Sequence, residues 1–368
     1  MSFEGCRWGL IGTAGIGRKN WMSIYCSGNG RVAGVASRSV ERAQQYIDEC
    51  SQDADFPEPP QAFGSYEEML ASDQIDAVYV PLPTGARKQW VIAAANAGKH
   101  VLCEKPCGIA APDLQEMLDA CQANNVQFMD GVMFMHSARL PMVLDALKDP
   151  ARMGQLNRIT GQFSFCAPPE FFQENIRSQT ELEPHGCLGD LGWYLIRFAL
   201  LACDGELPAW VSARVLRTQS PSSPIPVDYE FQLGWIVEGR EITSNFYCSF
   251  LTHHQQWVHC SGTEGVLRIQ DFVLPYEGDQ SVAYSEVCDF QQNGCIFIMK
   301  RDQQVLSATE KSNSDPTAQE AKMFARMGQI VASGQLEPSW PDMAMKTQLV
   351  MDACREAEKI PGQRLNLA

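Results

Sequence analysis

The residues with the clearest potential for chemistry lie in the segment 100–106, His-Val-Leu-Cys-Glu-Lys-Pro. Its apolar run is typical of a buried parallel strand, and open α/β sheets bind ligands beyond the carboxyl ends of their strands, where Lys105 would emerge. Pro106 restricts the backbone of the residue before it, so the ammonium group of Lys105 is expected to point to one place. The alternative interpretation is a surface lysine beside a turn proline.

Asp190 and Tyr194 form a second candidate site, within a predicted helix over residues 189–203. Residues four apart lie on the same face of a helix, so both side chains can reach one small molecule. The alternative interpretation is structural, with Asp190 stabilising the start of the helix and Tyr194 in the core.

A nucleotide-binding pattern opens the chain. A predicted strand over residues 7–12 is followed by Gly-Thr-Ala-Gly-Ile-Gly at residues 12–17 and then by a predicted helix. The hexapeptide matches G-x-G-x-x-G with Ala14 at the second glycine, so a pyrophosphate would lie at the N-terminus of the helix. Because the pattern lies between a strand and a helix, it predicts a dinucleotide site and favours the catalytic interpretation of Lys105.

The second predicted strand, residues 31–36, ends in Ser37-Arg38-Ser39. Folds that bind NAD carry an acidic residue about here for the adenine ribose, whereas an arginine accommodates the 2′-phosphate of NADP. This chain offers no carboxylate at that point, and a guanidinium group can pair bidentately with phosphate. The sequence therefore predicts NADP as the cofactor, with NAD also possible. The alternative for Arg38 is an ordinary solvated loop residue.

Strands and helices alternate through the rest of the first 130 residues. Residues 75–80 and 126–129 are predicted strands, residues 85–97 and 112–122 are predicted helices, and Thr84 is a predicted N-cap. This alternation predicts a parallel, doubly wound sheet of the α/β class.

The second half of the chain, from about residue 131, changes to long β segments. Glu238-Gly239 is a predicted hairpin turn, and residues 219–226, rich in Pro and Ser, are a predicted loop. These features predict α+β architecture. The predicted β segments are residues 156–166, 209–218, 229–237, 241–251, 255–260 and 265–269, and helices over 316–334 and 343–358 close the chain, the last expected to pack back toward the first domain.

Composition excludes several classes of function. A net charge of −15 without a basic stripe argues against a nucleic-acid partner, and no apolar run approaches the ~20 residues that span a membrane. The N-terminus enters a strand without a leader, so a cytoplasmic protein is expected. The fourteen cysteines contain no Cys-x-x-Cys pair, and at most two of His253, His254 and His259 can converge on one face of a strand, so no metal site is predicted.

Several segments together resemble the Gfo/Idh/MocA family of oxidoreductases, which includes glucose–fructose oxidoreductase and inositol dehydrogenase. The resemblance covers nearly the whole chain and is greatest to the dihydrodiol and xylose dehydrogenase branch. It implies a Rossmann domain over residues 1–130 and a substrate-binding and oligomerising α+β domain over residues 131–368, with a large, open, mostly antiparallel sheet. The segments are residues 12–17, 81–84, 97–106 and 189–194 for the family, and 130–136, 175–177 and 188–197 for the branch.

The resemblance also implies an activity, namely reversible hydride transfer between nicotinamide and a secondary alcohol or carbonyl of a sugar, polyol or dihydrodiol. Tyr194 would be the acid/base, Lys105 would stabilise its phenolate and polarise the carbonyl, and Asp190 would hold a neighbouring hydroxyl. Asn175, Arg177 and Asp190 are the implied substrate contacts. The implied cofactor contacts are Gly12, Thr13, Ala14, Gly15, Ile16, Ser37, Arg38, Pro81, Leu82, Thr84, Arg87, Glu104 and Lys105.

Departures from the family pattern leave alternatives open. Arg87 stands where many members carry histidine, and Ala14 replaces a glycine. The chain could be a non-catalytic NAD(P)-binding sensor of the same fold, or it could reduce another acceptor, such as a tetrapyrrole. A homodimer or homotetramer is expected through the outer face of the C-terminal sheet. The reason is that strand 230–237 is interpreted as carrying apolar residues on both of its faces, which fits a sheet covered on both sides.

Overall fold

The computed structural model describes residues 5–174 and 179–367, and the implied substrate contacts Asn175 and Arg177 lie outside the described residues. The chain forms two compact units, each built from three segments, whereas the sequence analysis places one boundary near residue 130. The first unit comprises Met1–His136, Gln179–Pro184 and Asn313–Leu349, and the second comprises Ser137–Ser178, His185–Ser312 and Val350–Ala368.

The first unit contains a six-stranded sheet in which every pairing is parallel. Its strands are β1 (Cys6–Ile11), β2 (Gly30–Ala36), β3 (Gln61–Phe63), β4 (Ala77–Val80), β5 (His100–Cys103) and β6 (Phe128–Asp130). The order β3-β2-β1-β4-β5-β6 is that of a dinucleotide-binding fold and confirms the predicted doubly wound sheet. β2 and β4 are buried along their whole length, as expected for strands covered on both faces.

In the first unit, helices alternate with these strands, and one helix from near the end of the chain returns to the sheet. The helices of both units are α1 (Gly15–Cys26), α2 (Val40–Ser51), α3 (Tyr66–Leu70), α4 (Thr84–Asn96), α5 (Ala111–Ala123), α6 (Arg139–Leu147), α7 (Phe171–Glu174), α8 (Trp193–Ala202), α9 (Gln319–Ser333) and α10 (Ser339–Ala357). Phe324 of α9 packs edge-on against Trp8 and Tyr79 of the sheet, with ring centroids 5.0 and 5.6 Å apart. A segment from the end of the chain therefore completes the core of the first unit.

The second unit is built on a nine-stranded sheet. Its strands are β7 (Leu156–Cys166), β8 (Trp210–Ser220), β9 (Ser223–Val237), β10 (Arg240–Ser249), β11 (Leu251–Gly262), β12 (Val266–Ile269), β13 (Gln280–Asn293), β14 (Ile296–Thr309) and β15 (Leu365–Asn366). They follow the order β14-β13-β12-β11-β7-β10-β9-β8-β15, and in this described sheet only β7 and β10 pair in parallel. The mostly antiparallel sheet is confirmed.

Two parts of this sheet differ from the sequence prediction. Residues 219–226 are not a loop, because β9 begins at Ser223 and pairs Pro226 with Thr218 of β8. Proline cannot donate a ladder hydrogen bond, and it is accommodated here where the β8–β9 register shifts repeatedly. The hairpin of β13 and β14 was not predicted at all. By contrast, the turn at Glu238 and Gly239 is confirmed, with φ of +51° and +77°.

The distribution of apolar side chains on β9 and on the new hairpin also differs from the expectation. Phe231, Leu233 and Trp235 of β9 are buried on one face of the strand, whereas Gln232 and Ile236 on the other face are exposed. Residues 225–229 of the same strand are buried on both faces. The hairpin carries an exposed apolar patch, where Phe290 stacks on Phe297 at 5.5 Å.

Within the part of the chain that the structure describes, no helix has the length and apolar character to cross a bilayer. In the same residues, no three side chains of His, Cys, Asp or Glu gather as ligands for a metal ion. The cysteines are free and most are buried, in keeping with a role as small apolar residues.

Candidate functional site

The turn between β1 and α1 has the features of an anion-binding turn. Gly12 has a φ of +90°, which L side chains rarely adopt, and a Cβ added at Gly15 would meet no atom within 4 Å. The backbone at the start of α1 is therefore open to close approach. The N-cap Ala14 supplies no side chain to the first-turn amides, and that turn contains no acidic residue. The diphosphate of a dinucleotide fits these groups.

Two arginines and a tyrosine lie beside this turn. Arg42, in the first turn of α2, donates from Nε to Oγ1 of Thr13 at 3.0 Å. The hydroxyl of Tyr66 would lie 3.3 Å from a Cβ at Gly12. Burial raises the pKa of the Tyr66 hydroxyl, and the positive charges of Arg38 and Arg42 oppose that rise.

Ser37 and Arg38 are the residues of this region predicted from the sequence, and Arg42 and Tyr66 are not among them. Arg38 is exposed and Ser37 is buried. Arg42 carried a detectable signal, because it lies in the first turn of the helix that directly follows Arg38. Tyr66 carried none, since its approach to the glycine-rich turn depends on the tertiary structure.

Lys105 follows β5 at the carboxyl end of the parallel sheet, and its neighbour Glu104 is held from several sides. Oε1 of Glu104 accepts a hydrogen bond from the hydroxyl of Tyr79 at 2.6 Å, and that hydroxyl accepts one from Nδ2 of Asn20 at 2.6 Å. Burial, and secondly the Glu104 carboxylate, raise the pKa of Tyr79, which keeps it a neutral donor. If residue 131 carried a side chain, its Cβ would lie only 3.2 Å from the Glu104 carboxylate, so this carboxylate lies close to the backbone of Gly131. Glu104 therefore has little freedom to move.

Arg87 of α4 also bonds to the segment that carries Lys105. Its side chain is buried, its Nε donates to the carbonyl of Leu82 at 2.6 Å, and its Nη1 donates to the carbonyl of Glu104 at 2.8 Å. Nη1 also donates to the carbonyl of Pro106. The guanidinium group thus joins the β4–α4 turn to the residues on both sides of Lys105.

Thr84 differs from its prediction as the N-cap of α4. Pro83 occupies the N-cap, and Thr84, only 2% exposed, is the first helical residue. Its amide and hydroxyl donate to the two carboxylate oxygens of Glu183, at 2.9 and 2.7 Å, and the amide of Gly85 donates to the carbonyl of Leu182 at 2.9 Å. A glutamate 99 residues away therefore caps this helix, and both polar groups of Thr84 are bonded to it.

The other implied cofactor contacts are distributed along the same edge. The side chain of Leu82 would lie 3.2 Å from a Cβ at Gly12, so the β1–α1 and β4–α4 turns meet there. Pro81 is buried, and Ile16 is exposed beside Gly15 at the start of α1.

In the second unit, Asp190 lies in a π-helical turn, Leu188–Gly192, that leads into α8. The sequence predicted one continuous α-helix here, whereas the structure begins with this wider turn, a feature that recurs at functional sites. Tyr194 is buried in α8, and its ring centroid lies 5.7 Å from that of Phe163 on β7. No motif or spacing in the sequence distinguishes Phe163 as a neighbour of Tyr194.

The predicted catalytic residues thus fall into two groups. Lys105 and Glu104 belong to the first unit, and Asp190 and Tyr194 belong to the second. Within its own unit, Glu104 is bonded to Tyr79, and Tyr194 packs against Phe163.

Comparison with known proteins gives matches to both parts of the chain. Residues 6–132 match the model of an oxidoreductase family with an NAD-binding Rossmann fold, and residues 144–268 match the Gfo/Idh/MocA C-terminal domain. D-xylose 1-dehydrogenase (NADP⁺) 2 of Haloferax volcanii is 31% identical over 259 residues, which are 70% of this chain and 74% of that protein. Trans-1,2-dihydrobenzene-1,2-diol dehydrogenase of Mus musculus is 26% identical and is aligned over 74% of this chain and 76% of that protein.

Solved structures share the fold over nearly the whole chain. A 3-ketoreductase from Actinomadura kijaniata, in complex with NADP and TDP-benzene, has a TM-score of 0.78 at 23% identity, covering 96% of this chain and 98% of that one. Levoglucosan dehydrogenase, in complex with NADH and levoglucosan, has a TM-score of 0.78 at 15% identity, covering 98% of this chain and 99% of that one.

Proposed function

Because this chain belongs to the Gfo/Idh/MocA oxidoreductase family, with that family's NAD-binding Rossmann domain, we propose that it catalyses reversible hydride transfer between NADP and a sugar, polyol or dihydrodiol. The observation that carries this proposal is the ordered turn of Glu104 and Lys105. This turn lies at the carboxyl end of the same parallel sheet whose β1–α1 turn fits a diphosphate.

Turns of the first unit would hold the cofactor. The backbone of residues 12–16 binds the diphosphate, and Arg38 and Arg42 pair with the 2′-phosphate. Tyr66 would lie beside the cofactor as well, because its hydroxyl is close to Gly12 of the glycine-rich turn. When bound, the nicotinamide ring supplies the carbon that accepts or donates hydride.

The protein side chains manage the proton and the orientation of the substrate. Loss of hydride from an alcohol also requires loss of the hydroxyl proton, and Tyr194 takes that proton. Lys105 stabilises the phenolate and, in the direction of reduction, polarises the carbonyl. Asp190 holds a neighbouring hydroxyl. Asn175 and Arg177, which lie outside the described residues, are further substrate contacts that the family resemblance implies, with Arg177 expected to favour an anionic or polyhydroxylated group.

A panel of substrates tests the activity itself. We expect the purified protein with NADP to oxidise at least one of D-xylose, levoglucosan, inositol and a trans-dihydrodiol, or to reduce the corresponding carbonyl with NADPH. Formation or consumption of NADPH, followed by its absorbance, measures this. A shift of the melting temperature with NADP but no turnover of any substrate in either direction would contradict the proposal and support a non-catalytic sensor.

A second part of the proposal concerns assembly into a homodimer or homotetramer. Phe290, Phe297 and Met299 are 57%, 65% and 66% exposed, and the β13–β14 register places them on one face of the hairpin. A two-fold axis would place a second copy of this small patch against the first, since symmetric dimers use the same surface twice. The second copy of this chain is therefore the proposed occupant of the patch.

We expect light scattering to give at least a dimeric mass at micromolar concentration. Replacing both Phe290 and Phe297 with serine should shift the mass toward the monomer, because the apolar area that association buries is lost. Ile296→Ser is the matched control, because Ile296 is 64% exposed but lies on the opposite face of the same hairpin. A monomeric mass for the unmodified protein would refute the assembly.

A further inference from the structure

We propose that Arg87 is a positioning residue that orients Lys105 through the main chain, in place of the direct cofactor contact expected from the sequence. This inference rests on the proposed function, in which Lys105 acts on the substrate. We base it on the contacts of the Arg87 guanidinium group, on the burial of Arg87 and on the effect of its charge on the pKa of Tyr79.

The contacts of Arg87 enclose one residue. Its Nη1 donates to the carbonyl oxygens of Glu104 and Pro106, and Lys105 is the residue between them. The Glu104 carbonyl belongs to the peptide group before Lys105, and the Pro106 carbonyl belongs to the peptide group after Pro106. Arg87 therefore holds the main chain at both ends of the Lys105-Pro106 pair, which restricts the direction in which the Lys105 side chain leaves the backbone. Nε donates to the carbonyl of Leu82 and so ties this arrangement to the β4–α4 turn.

Burial makes Arg87 a poor candidate for direct contact with a cofactor. Only 4% of the residue is exposed, and its Nε and Nη1 donors bond within the first unit, to three main-chain carbonyls and to the hydroxyl of Thr84. The planar guanidinium group has five N–H donors in a fixed geometry and can therefore hold several carbonyls together, which an ammonium group cannot do equally well.

The positive charge of Arg87 also acts on a neighbour of this segment. It opposes the rise in the pKa of Tyr79, whose hydroxyl donates to the Glu104 carboxylate. Arg87 thus bonds to the main chain on both sides of Lys105 and acts electrostatically on the tyrosine that holds Glu104. Small displacements of a reacting group are costly, since a misplacement of about 1 Å can lower a rate about 100-fold.

The test compares Arg87→Met with a matched neighbour, on whichever panel substrate is turned over. Lys88→Met removes a charge from the same helix, but Lys88 bonds to Asp113 and Glu116 of α5. We expect Arg87→Met to lower kcat about 10- to 100-fold with the Kd for NADP nearly unchanged, and Lys88→Met to leave both unchanged. Arg87→Lys should lie between Arg87→Met and the unmodified protein, because it retains the charge but fewer donors.

A double-variant cycle separates positioning from general stability. In a Lys105→Met background, Arg87→Met should cause no further loss of kcat, because the residue through which Arg87 acts is absent. If the losses multiply, or if Arg87→Met weakens NADP binding while kcat is retained, the positioning role is wrong. If Lys105→Met alone retains full turnover, the proposed function fails instead, whatever Arg87 does.

A structural readout does not depend on turnover. In crystal structures with NADP, Arg87→Met should displace the carbonyl oxygens of Glu104 and Pro106 together with Nζ of Lys105, and Lys88→Met should not. Unchanged positions of these atoms in Arg87→Met would overturn the inference. If Arg87→Met does not fold, the same comparison with Arg87→Lys decides the question, because that variant keeps the buried charge.

Discussion

Replacing Tyr194 with phenylalanine, or Lys105 with methionine, is expected to lower kcat about 10²–10⁴-fold, the range for loss of a proton-transfer group. The tyrosine variant removes one hydroxyl while keeping the ring against Phe163, so its packing should be retained. The Kd for NADP should change little in either variant, because neither side chain is needed to bind the diphosphate. Steady-state kinetics together with calorimetric titration of NADP measure both quantities.

Controls for this prediction distinguish chemistry from folding. Tyr247→Phe removes a hydroxyl that bonds to Thr252 elsewhere in the second unit, at 2.7 Å, and should leave kcat unchanged. The losses from Tyr194→Phe and Lys105→Met should be far from additive on a free-energy scale, since either change disables one shared unit. A double variant that shows the product of the two single losses would contradict their joint action. Asp190→Asn should raise KM as well as lower kcat, because a hydroxyl contact is made in both ground and transition states.

NADP is expected to bind more tightly than NAD, and Arg38→Ala or Arg42→Ala should each weaken NADP binding about 10- to 100-fold. Such a loss corresponds to about 1.5–3 kcal/mol, the usual contribution of a hydrogen bond to a charged group. The affinity for NAD should hardly change, because NAD lacks the 2′-phosphate that these guanidinium groups would meet. Calorimetric titration of both cofactors against both variants measures the effect.

Arg326→Ala is the matched control for cofactor selectivity. Arg326 lies on α9 in the same unit, and its Nε donates to Glu337 at 3.2 Å, so its loss should leave both affinities unchanged. Equal dissociation constants for NADP and NAD in the unmodified protein would contradict the prediction. A loss confined to Arg38→Ala would assign selectivity to that residue and remove Arg42 from the site.

Much of the framework of the site could be predicted from the sequence, because its signals are local. The apolar run before Glu104 predicted β5, and Lys105 duly follows that strand at the carboxyl end of a parallel sheet. The spacing of glycines predicted the β1–α1 turn, since only a residue without a side chain tolerates the φ found at Gly12. The succession of segments with the hydrophobic period of a strand or of a helix likewise predicted the α/β first half and the α+β second half. The two kinds of segment can be told apart because strands and helices bury one face with different periods.

Only the tertiary structure decided what surrounds these residues. The cap of α4 comes from Glu183, 99 residues beyond Thr84, and the three carbonyls bonded to Arg87 become neighbours only when β4, α4 and β5 are assembled. The approach of Tyr66 to Gly12 has the same origin. Periodicity predicts which face of an element is buried, but it does not identify the partner of a polar group, since that partner depends on which distant segments the fold brings together.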